Sequence, residues 1–383
     1  MASKTSFSQV TAQSPKNNFA NYRILTAKKF VTYPSLTSKL GLALPYGRSD
    51  VYTVKMTLTQ LRYLAAISDA GMNITQASER VHATQPGLSK QLKLLEDSLG
   101  FLLFTRKGRS LESITPGGVQ VLIHARRMLL EAQNIRAYAA NERREPAGKL
   151  VIVTTPTQAR YVLPHPITQL KAKYPDVSVH LQTHSEGEIL STLNSAQADL
   201  AIVSTSGTAP NFGLAIPLYS WRRVAIVPKQ HPLAQTLGEI SMAALACHPI
   251  ISYESTLRAD SSLQKAFLHS GCAAQIAMTA SEVDLIKTYT RTGLGVGILA
   301  EMAVSTALDN DLAIIKLPAE MVMCTTWAVL PNDRVLRDYV LDLLCDVAPQ
   351  LDPVDIRRAL RGEQRYIPQT VPSWVELTQS ITS

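Results

Sequence analysis

Apolar residues between positions 57 and 100 recur at intervals of three and four, the spacing of helices that bury one face. The pattern predicts three short helices, of which the second covers about 74–81 and the third follows directly. Thr84 is a good N-cap for the third helix, and Pro86 fits its first turn, where a missing N–H costs nothing. The second and third helices therefore predict a helix-turn-helix at about residues 74–93.

The segment after the third helix contains a basic turn, Lys107-Gly108-Arg109, between two short extended runs. This hairpin predicts a wing, so residues 56–115 are expected to form a winged helix-turn-helix domain. A further helix is expected over 116–145. It carries one long apolar stripe and no domain to bury it, which is typical of a linker helix that pairs with its own copy. The stripe consists of Val119, Leu122, Ile123, Ala125, Met128, Leu129, Ala132, Ile135 and Tyr138.

After Gly148 the pattern changes to short β-branched runs that alternate with helical stretches, which predicts an α/β domain with mainly parallel sheets. The expected fold class is therefore α plus α/β. The domain over 146–350 has the length of two small lobes, with 351–383 as a C-terminal tail. Lobe I is expected at about 146–219 and 322–350, and lobe II at about 220–321. The predicted strands are 149–154, 177–182, 200–203, 223–227, 250–252, 296–299 and 326–330.

The composition is that of a globular protein, with 46% hydrophobic and 18% charged residues. No apolar run approaches the roughly 18 residues that a membrane span needs. The four cysteines are far apart and form no C-x-x-C pair, so neither a metal site nor a disulfide framework is expected.

The net charge of +8 lies almost entirely in the first 55 residues, which hold eight basic residues and one acidic residue. The charge of the whole chain is therefore no argument for nucleic-acid binding by the folded part. Three interpretations of 1–55 stay open: a disordered basic tail, a targeting segment, or sequence upstream of a true start at Met56. The first and third are favoured because the predicted DNA-binding domain begins at Met56.

Side chains near the start of a recognition helix meet base edges when that helix enters the major groove. Gln can bond adenine through two atoms, Ser can bond several bases, and Lys can reach guanine or phosphate. Thr84 and the amides beside it suit a backbone phosphate, and basic wing residues suit phosphates or the minor groove. On composition alone, an ordinary solvated helix face fits the polar residues better. The candidate DNA-binding residues are Thr84, Gln85, Pro86, Ser89, Lys90, Arg106, Lys107 and Arg109.

The order of residues in this domain resembles the LysR-type transcription regulators, and this resemblance favours DNA binding over the solvated face. Their signature is an alanine in the second helix, T-Q-P-x-L-S, a spaced L-E-x-x-L-G, and then L-F-x-R. The matching residues are Ala77, Ala83-Thr84-Gln85-Pro86-Gly87-Leu88-Ser89, Leu95-Glu96, Leu99-Gly100, Leu103-Phe104-Thr105-Arg106 and Thr115-Pro116-Gly117-Gly118.

Four further segments look like the CysB-like branch, whose members regulate cysteine biosynthesis and sulfur assimilation, so that the match spans roughly 56–350. The resemblance implies a cytoplasmic homotetramer with two lobes of the periplasmic-binding-protein type (type 2). The implied partners are double-stranded promoter DNA and RNA polymerase, with no membrane. The implied effector lies between the lobes, with acetylserine derivatives as inducers and sulfate, thiosulfate or sulfide as modulating anions; no other cofactor is expected. The segments are Leu61-Arg62-Tyr63, residues 154–164, residues 219–223 and residues 283–297.

Thr155, Thr157 and Gln158 follow a predicted strand directly and precede a helix. This placement brings two hydroxyls, an amide and backbone N–H groups around one point at the carboxyl end of a strand, where α/β domains bind ligands. A small oxyanion or carboxylate fits such a cluster. The alternative is a capping cluster that serves only its own helix. The family resemblance favours ligand binding.

Trp221 lies at the expected crossover between the lobes and is either a core residue or a wall of the cleft, and the match favours the wall. Two departures from the family pattern concern the effector. Pro156 replaces a histidine, and Arg258-Ala259-Asp260 stands where the family has threonine, glycine and arginine. If Arg258 faces the cleft, it adds a cation for sulfate, phosphate or carboxylate; if it faces solvent, an anchoring hydroxyl is lost.

Other functions have little support in the sequence. The histidines and serines lie in no H-E-x-x-H or G-x-S-x-G motif, and no Walker loop is present, so an enzyme is not expected. A solute-binding protein is a second alternative because the lobes resemble one. The DNA-binding domain fused to the lobes argues against it.

Overall fold

The computed structural model describes residues 55–108, 110–194, 198–235, 238–319, 321–363 and 371–382. The expectations for residues 1–54 and for Arg109 lie outside the described residues. No helix in the described part of the chain combines the length and the apolar character needed to cross a membrane.

The N-terminal domain is a three-helix unit with a two-stranded hairpin, as the sequence predicts. Thr57 and Gln60 form a reciprocal capping box at the start of the first helix, and the Thr84 side chain caps the third. The core between the helices and the hairpin contains buried Leu64, Leu92 and Phe104. The elements are α1 (Leu58–Asp69), α2 (Ile74–Arg80), α3 (Gln85–Leu99), β1 (Phe104–Lys107) and β2 (Ser110–Ile114).

The linker helix α4 (Pro116–Glu142) begins against the wing. A Cβ atom on Gly118 would lie 2.2 Å from the carbonyl oxygen of Leu103, so only glycine allows this close approach. The predicted apolar stripe divides into two parts. Leu122 and Ala125 are buried in the core of the N-terminal domain. Five other residues stay exposed: Val119, Ile123, Met128, Ile135 and Tyr138.

The C-terminal part of the chain alternates strands and helices. The elements from residue 148 to lobe II are β3 (Gly148–Thr154), α5 (Pro156–Tyr161), α6 (Pro164–Lys173), β4 (Val177–Thr183), α7 (Glu186–Asn194), β5 (Leu200–Thr205), β6 (Leu214–Trp221), β7 (Arg223–Pro228), α8 (Met242–Ala246), β8 (Ile250–Tyr253), α9 (Ser262–His269), β9 (Ile276–Ala280), α10 (Val283–Arg291), β10 (Val296–Ala300) and β11 (Leu312–Lys316). The return to lobe I adds β12 (Cys324–Leu330), α11 (Asp338–Val347), α12 (Pro353–Leu360) and α13 (Trp374–Thr382).

Two five-stranded sheets form the two lobes, with the strand order β4-β3-β5-β12-β6 in lobe I and β11-β7-β10-β8-β9 in lobe II. Three neighbouring strands are parallel in each sheet, but β12 pairs antiparallel with β5 and β6, and β7 pairs antiparallel with β10 and β11. The sheets are therefore mixed, and the expectation of mainly parallel sheets is wrong. The expectation was wrong because the sequence pattern missed strands β6, β9 and β11. It also did not show that β12, on which the chain returns to lobe I, runs antiparallel to its neighbours.

The segment after residue 350, predicted as a tail, carries two helices that pack on lobe I. Ile356 of α12 and Leu377 of α13 are buried in the same core as the lobe I sheet. The ring of Trp374 lies 5.3 Å from the ring of Tyr219, centroid to centroid. Lobe I therefore extends beyond residue 350 and includes both helices.

The end of α4 is hydrogen-bonded to lobe I through two asparagines. The Asn134 amide donates to the carbonyl of Asp333 at 2.7 Å and accepts the N–H of Val335 at 2.9 Å. About two turns further along the same face, the Asn141 amide donates to the carbonyl of Leu336 at 2.7 Å. These contacts tie the orientation of the linker helix to lobe I.

Candidate functional site

The first turn of α3 presents the predicted DNA-binding side chains to solvent. Gln85, Pro86 and Lys90 are exposed and Ser89 is half-buried, while the opposite side of the helix is buried in the domain core. The Thr84 hydroxyl accepts the N–H of Gly87 at 3.2 Å, which fixes the start of the helix. The sequence pattern is thus consistent with a helix whose first turn is free to enter a groove.

The wing is fixed to α3 by the buried carboxylate of Glu96, a signature residue to which the sequence assigned no role. Glu96 is 3% exposed, and its side chain accepts the backbone N–H groups of Leu103 at 2.8 Å and Phe104 at 3.4 Å. The Arg106 guanidinium pairs with the other carboxylate oxygen at 3.0 Å. Arg106 and Lys107 are both exposed on β1. Arg106 therefore has a structural partner as well as an outward-facing position, whereas Lys107 is a plain surface cation.

A cleft of about 900 Å³ lies between the two lobes. Its lining is rich in hydroxyl groups, with Ser204 and Ser206 from lobe I and Ser255 and Ser261 from lobe II. All five predicted effector-binding residues line this one cleft: Thr155, Thr157, Gln158, Trp221 and Arg258. The structure therefore brings together residues that are about 100 positions apart in the sequence.

Gln158 is held by lobe I itself. Its side chain is 1% exposed, and the amide nitrogen donates to Ser204 at 3.3 Å and to Thr326 at 3.4 Å. The Tyr219 hydroxyl donates to its amide oxygen. The backbone N–H of Gln158 is directed at the Thr155 hydroxyl at 3.5 Å. Thr155 thus caps the helix, as one alternative predicted, and Gln158 also lines the cleft, as the other predicted. The side-chain amide of Gln158 is already hydrogen-bonded within lobe I.

Thr157 is a nearly buried residue of lobe I that lines the cleft. It is 8% exposed, and it shares the cleft lining with Tyr253 of lobe II. Tyr253 also accepts the backbone N–H of Ala300 at 3.1 Å. Burial raises the pKa of Tyr253 above its ordinary value, so the phenol stays neutral at physiological pH. A change at Thr157 therefore alters the cleft lining next to neutral polar groups of both lobes.

Trp221 is a core residue and a wall of the cleft at once. It is 5% exposed, belongs to the lobe I core and lines the cleft. Its indole N–H donates to the Thr326 hydroxyl at 3.1 Å. This bond fixes the ring plane at the point where the chain leaves lobe I.

Arg258 lies at the exposed rim of the cleft. Its guanidinium makes two hydrogen bonds to the Asp260 carboxylate, at 3.0 and 2.7 Å. The hydrogen bond from Arg258 holds the pKa of Asp260 below its ordinary range. The cation therefore does face the cleft, but its charge is balanced by its neighbour two residues away.

Arg223 lines the cleft and lies in the segment 219–223, which resembles the CysB-like branch, but the sequence predicted no role for it. It is 7% exposed, and its Nε donates to the Ser262 hydroxyl at 2.8 Å. The guanidinium carbon lies 5.7 Å from the centroid of Trp221 and 5.9 Å from that of Tyr253. Its Nη1 is buried with no hydrogen-bond partner among the described residues. The sequence feature that could have indicated its role is its position two residues after Trp221, at the end of a strand.

Two family models match the chain, one over the DNA-binding domain and one over the lobes. Residues 58–119 match the family model "Bacterial regulatory helix-turn-helix protein, lysR family", and residues 143–345 match "LysR substrate binding domain". A similar curated protein is the HTH-type transcriptional regulator CysB of Haemophilus influenzae. It is 40% identical over 306 residues, which cover 80% of this chain and 94% of that protein.

Two solved structures resemble the fold. The cofactor-binding domain of the Cbl transcriptional regulator is 30% identical with a TM-score of 0.52, and the match covers 56% of this chain and 94% of that one. A full-length OxyR variant from Pseudomonas aeruginosa is 23% identical with a TM-score of 0.62, and the match covers 78% of this chain and 96% of that one. The second match supports the arrangement of elements from the DNA-binding domain to the lobes.

Proposed function

The chain belongs to the LysR family of DNA-binding transcriptional regulators and is not an enzyme, and from that premise we propose that it controls genes of sulfur assimilation or cysteine biosynthesis. The proposed signal is a small sulfur-related anion or an acetylserine-type molecule that binds between the lobes. One observation carries the proposal: the similarity to CysB extends over both the DNA-binding domain and the lobes. The DNA-binding domain and the signal-binding lobes therefore resemble the same branch of the family.

DNA recognition follows from the exposed first turn of α3. Gln85 and Ser89 are placed to contact base edges once α3 lies in the major groove, and Lys90 to contact a guanine or a phosphate. The wing cations Arg106 and Lys107 suit the phosphate backbone beside it. These two kinds of contact predict that α3 supplies the preference for one DNA sequence and that the wing supplies affinity for any sequence.

Signal transmission is proposed to run through lobe I and the linker helix. A ligand that contacts both lobes changes the relative free energies of their arrangements, which shifts the population between two states. Asn134 and Asn141 hold α4 to lobe I, so a rotation of that lobe also turns the helix. When two copies pair through α4, such a turn changes the spacing of their recognition helices on DNA.

The exposed apolar face of α4 supports a homodimer, and two such dimers joined through the lobes form the proposed homotetramer. Recruitment of RNA polymerase to the promoter is part of the same proposal. Because its target is promoter DNA, we expect the protein in the cytoplasm.

A footprint of the full-length protein on the promoter of a sulfur-assimilation gene tests the proposal. Sulfate, thiosulfate, O-acetylserine and N-acetylserine are added separately, with malate as a carboxylate control. At least one sulfur-related ligand should change the footprint and the DNA bend, and malate should not. The second candidate is a LysR-type regulator for a different carboxylate, which is favoured by the replacement of the family's threonine by Arg258. A footprint that responds only to malate supports this candidate. A footprint that no ligand changes contradicts both.

A further inference from the structure

The cleft contains one buried cation whose hydrogen-bonding capacity is incompletely used. Of the arginines and lysines that line it in the described structure, Arg258 and Lys265 are exposed and Arg223 alone is buried. Among the described residues, no carboxylate forms an ion pair with Arg223, and its Nη1 has no acceptor. A buried cation without a counter-charge is costly, so its retention requires a reason.

The neighbours of Arg223 fix its orientation without neutralising it. The indole of Trp221 and the phenol of Tyr253 lie near its guanidinium, and the Ser262 hydroxyl accepts from Nε. The Ser262 hydroxyl is neutral, and burial keeps the Tyr253 phenol protonated. The positive charge therefore remains unbalanced, and the group is held as a rigid planar donor at the junction of the lobes.

We propose that Arg223 is the counter-charge for the effector and binds the carboxylate of a small organic acid. The inference rests on the proposed function and names the chemical class of its ligand. A carboxylate matches the planar fork of a guanidinium and supplies the acceptor that Nη1 lacks. Because Nη1 is buried, the carboxylate reaches it through a relative movement of the lobes, and ligand binding is thereby linked to that movement.

The size of the cleft agrees with an organic acid. Its volume of about 900 Å³ is near the upper end of sites that hold small organic ligands. An inorganic oxyanion alone leaves most of this space to water. An organic acid that binds Arg223 through its carboxylate fills more of the space and can extend toward the hydroxyls of lobe I.

The experiment pairs a change in the protein with the matching change in the ligand. Calorimetry with the full-length protein compares N-acetylserine with N-acetylserinamide, which has the same shape but no carboxylate. The protein variants are Arg223→Met, Arg223→Lys and, as a matched control, Arg222→Met at the exposed neighbouring arginine. Thermal melting of each variant without ligand reports whether it is folded.

The wild-type protein and Arg222→Met should bind the acid at least about thirtyfold more tightly than the amide, as expected for one partner of a buried charge pair. In Arg223→Met this ratio should fall to within about threefold, with no lowering of the ligand-free melting temperature. Arg223→Lys keeps the charge but lacks the planar fork, so it should retain only part of the ratio.

Three outcomes overturn the inference. An unchanged acid-to-amide ratio in both Arg223 variants contradicts it while the proposed function stands. A wild-type protein that binds sulfate or thiosulfate but not N-acetylserine likewise contradicts the inference while the proposed function stands. If Arg223→Met does not fold, the acid-to-amide ratio of Arg223→Lys decides the first outcome. A wild-type protein that binds none of these ligands contradicts the proposed function and the inference together.

Discussion

Glu96 of α3 and Arg106 of β1 form an ion pair, with 3.0 Å between Nη2 and Oε2, that joins the recognition helix to the wing. The same carboxylate accepts the backbone N–H groups of Leu103 and Phe104. Glu96 is therefore the group that sets the position of the wing relative to α3. This gives a physical reason for the glutamate in the L-E-x-x-L-G signature and the arginine in L-F-x-R.

Replacement of Glu96 should destabilise the DNA-binding domain. Glu96→Ala leaves two backbone N–H groups without their acceptor, and we expect the free energy of unfolding to fall by about 2–4 kcal/mol. Urea denaturation followed by circular dichroism measures this change. Asp97→Ala, at the exposed neighbouring position, is the control and should change stability little. Equal effects of the two substitutions would show that Glu96 does not hold the wing.

Gln85 and Lys107 should affect DNA binding in different ways. Gln85→Ala is expected to reduce discrimination against single base-pair changes at one position by about 1–3 kcal/mol. Lys107→Ala should weaken binding to every sequence and reduce the slope of affinity against salt by about one. Fluorescence anisotropy with an operator and its single-base variants measures both. Lys107 is a cleaner test than Arg106, because Arg106 also pairs with Glu96. Sequence-independent losses from both substitutions would contradict the assigned roles.

Thr157→Val should abolish the response to effector and leave DNA affinity unchanged. The substitution keeps the size of the side chain but removes a hydroxyl from the cleft lining. We expect effector affinity to fall about tenfold or more, since valine cannot replace the hydrogen bond between the Thr157 hydroxyl and the effector. Calorimetry and a mobility shift measure the two properties. Thr168→Val on the exposed face of α6 is the control. Normal induction in Thr157→Val would remove Thr157 from the effector site.

Lobe II should lose stability in acid through Asp309. Burial raises the pKa of this carboxylate, but hydrogen bonds from Lys287, the Ser305 amide and Arg291 outweigh it and hold the pKa below its ordinary value. The stabilisation is therefore complete above the unfolded pKa of about 4 and is lost as the pH falls through the lower folded pKa.

Asp309→Asn tests this pH dependence. At pH 7 it should lower the free energy of unfolding by about 3 kcal/mol, because Lys287 stays buried without its counter-charge. The difference from the wild-type protein should shrink on acidification below about pH 4. Thermal unfolding over this range measures it, with Asp176→Asn on the surface as the control. A difference that is constant with pH would contradict the ion-pair assignment.

The exposed side of α4 should hold two copies of the chain together. Ile123 is 41% exposed and Ile135 is 70% exposed, so a glutamate at either position does not disturb the fold of one copy. Ile123→Glu combined with Ile135→Glu should therefore lower the molecular mass in sedimentation velocity while the circular dichroism spectrum is unchanged. Leu308→Glu, at an 83% exposed site on lobe II, is the control. An unchanged mass would show that the copies pair elsewhere.

The DNA-binding domain was predictable from the sequence because its contacts are local. The caps at Thr84 and Thr115 and the apolar repeats of α1 to α3 each depend on neighbours within a few residues. The same local pattern predicted most strands of the two lobes. It missed β6, β9 and β11, and it did not predict the antiparallel pairing of β12, because strand direction depends on partners far away along the chain.

The sequence by itself thus determined the helix-turn-helix, the linker helix, the two lobes and the family to which the chain belongs. It also supplied the five candidate effector residues, which the fold brings into one cleft. Only the tertiary structure decided how each of them is used: Gln158 is engaged within lobe I, Arg258 is balanced by Asp260, and Arg223 is buried without a counter-charge. The physical reason is that burial and pairing of charges depend on residues from both lobes, and no local pattern records them.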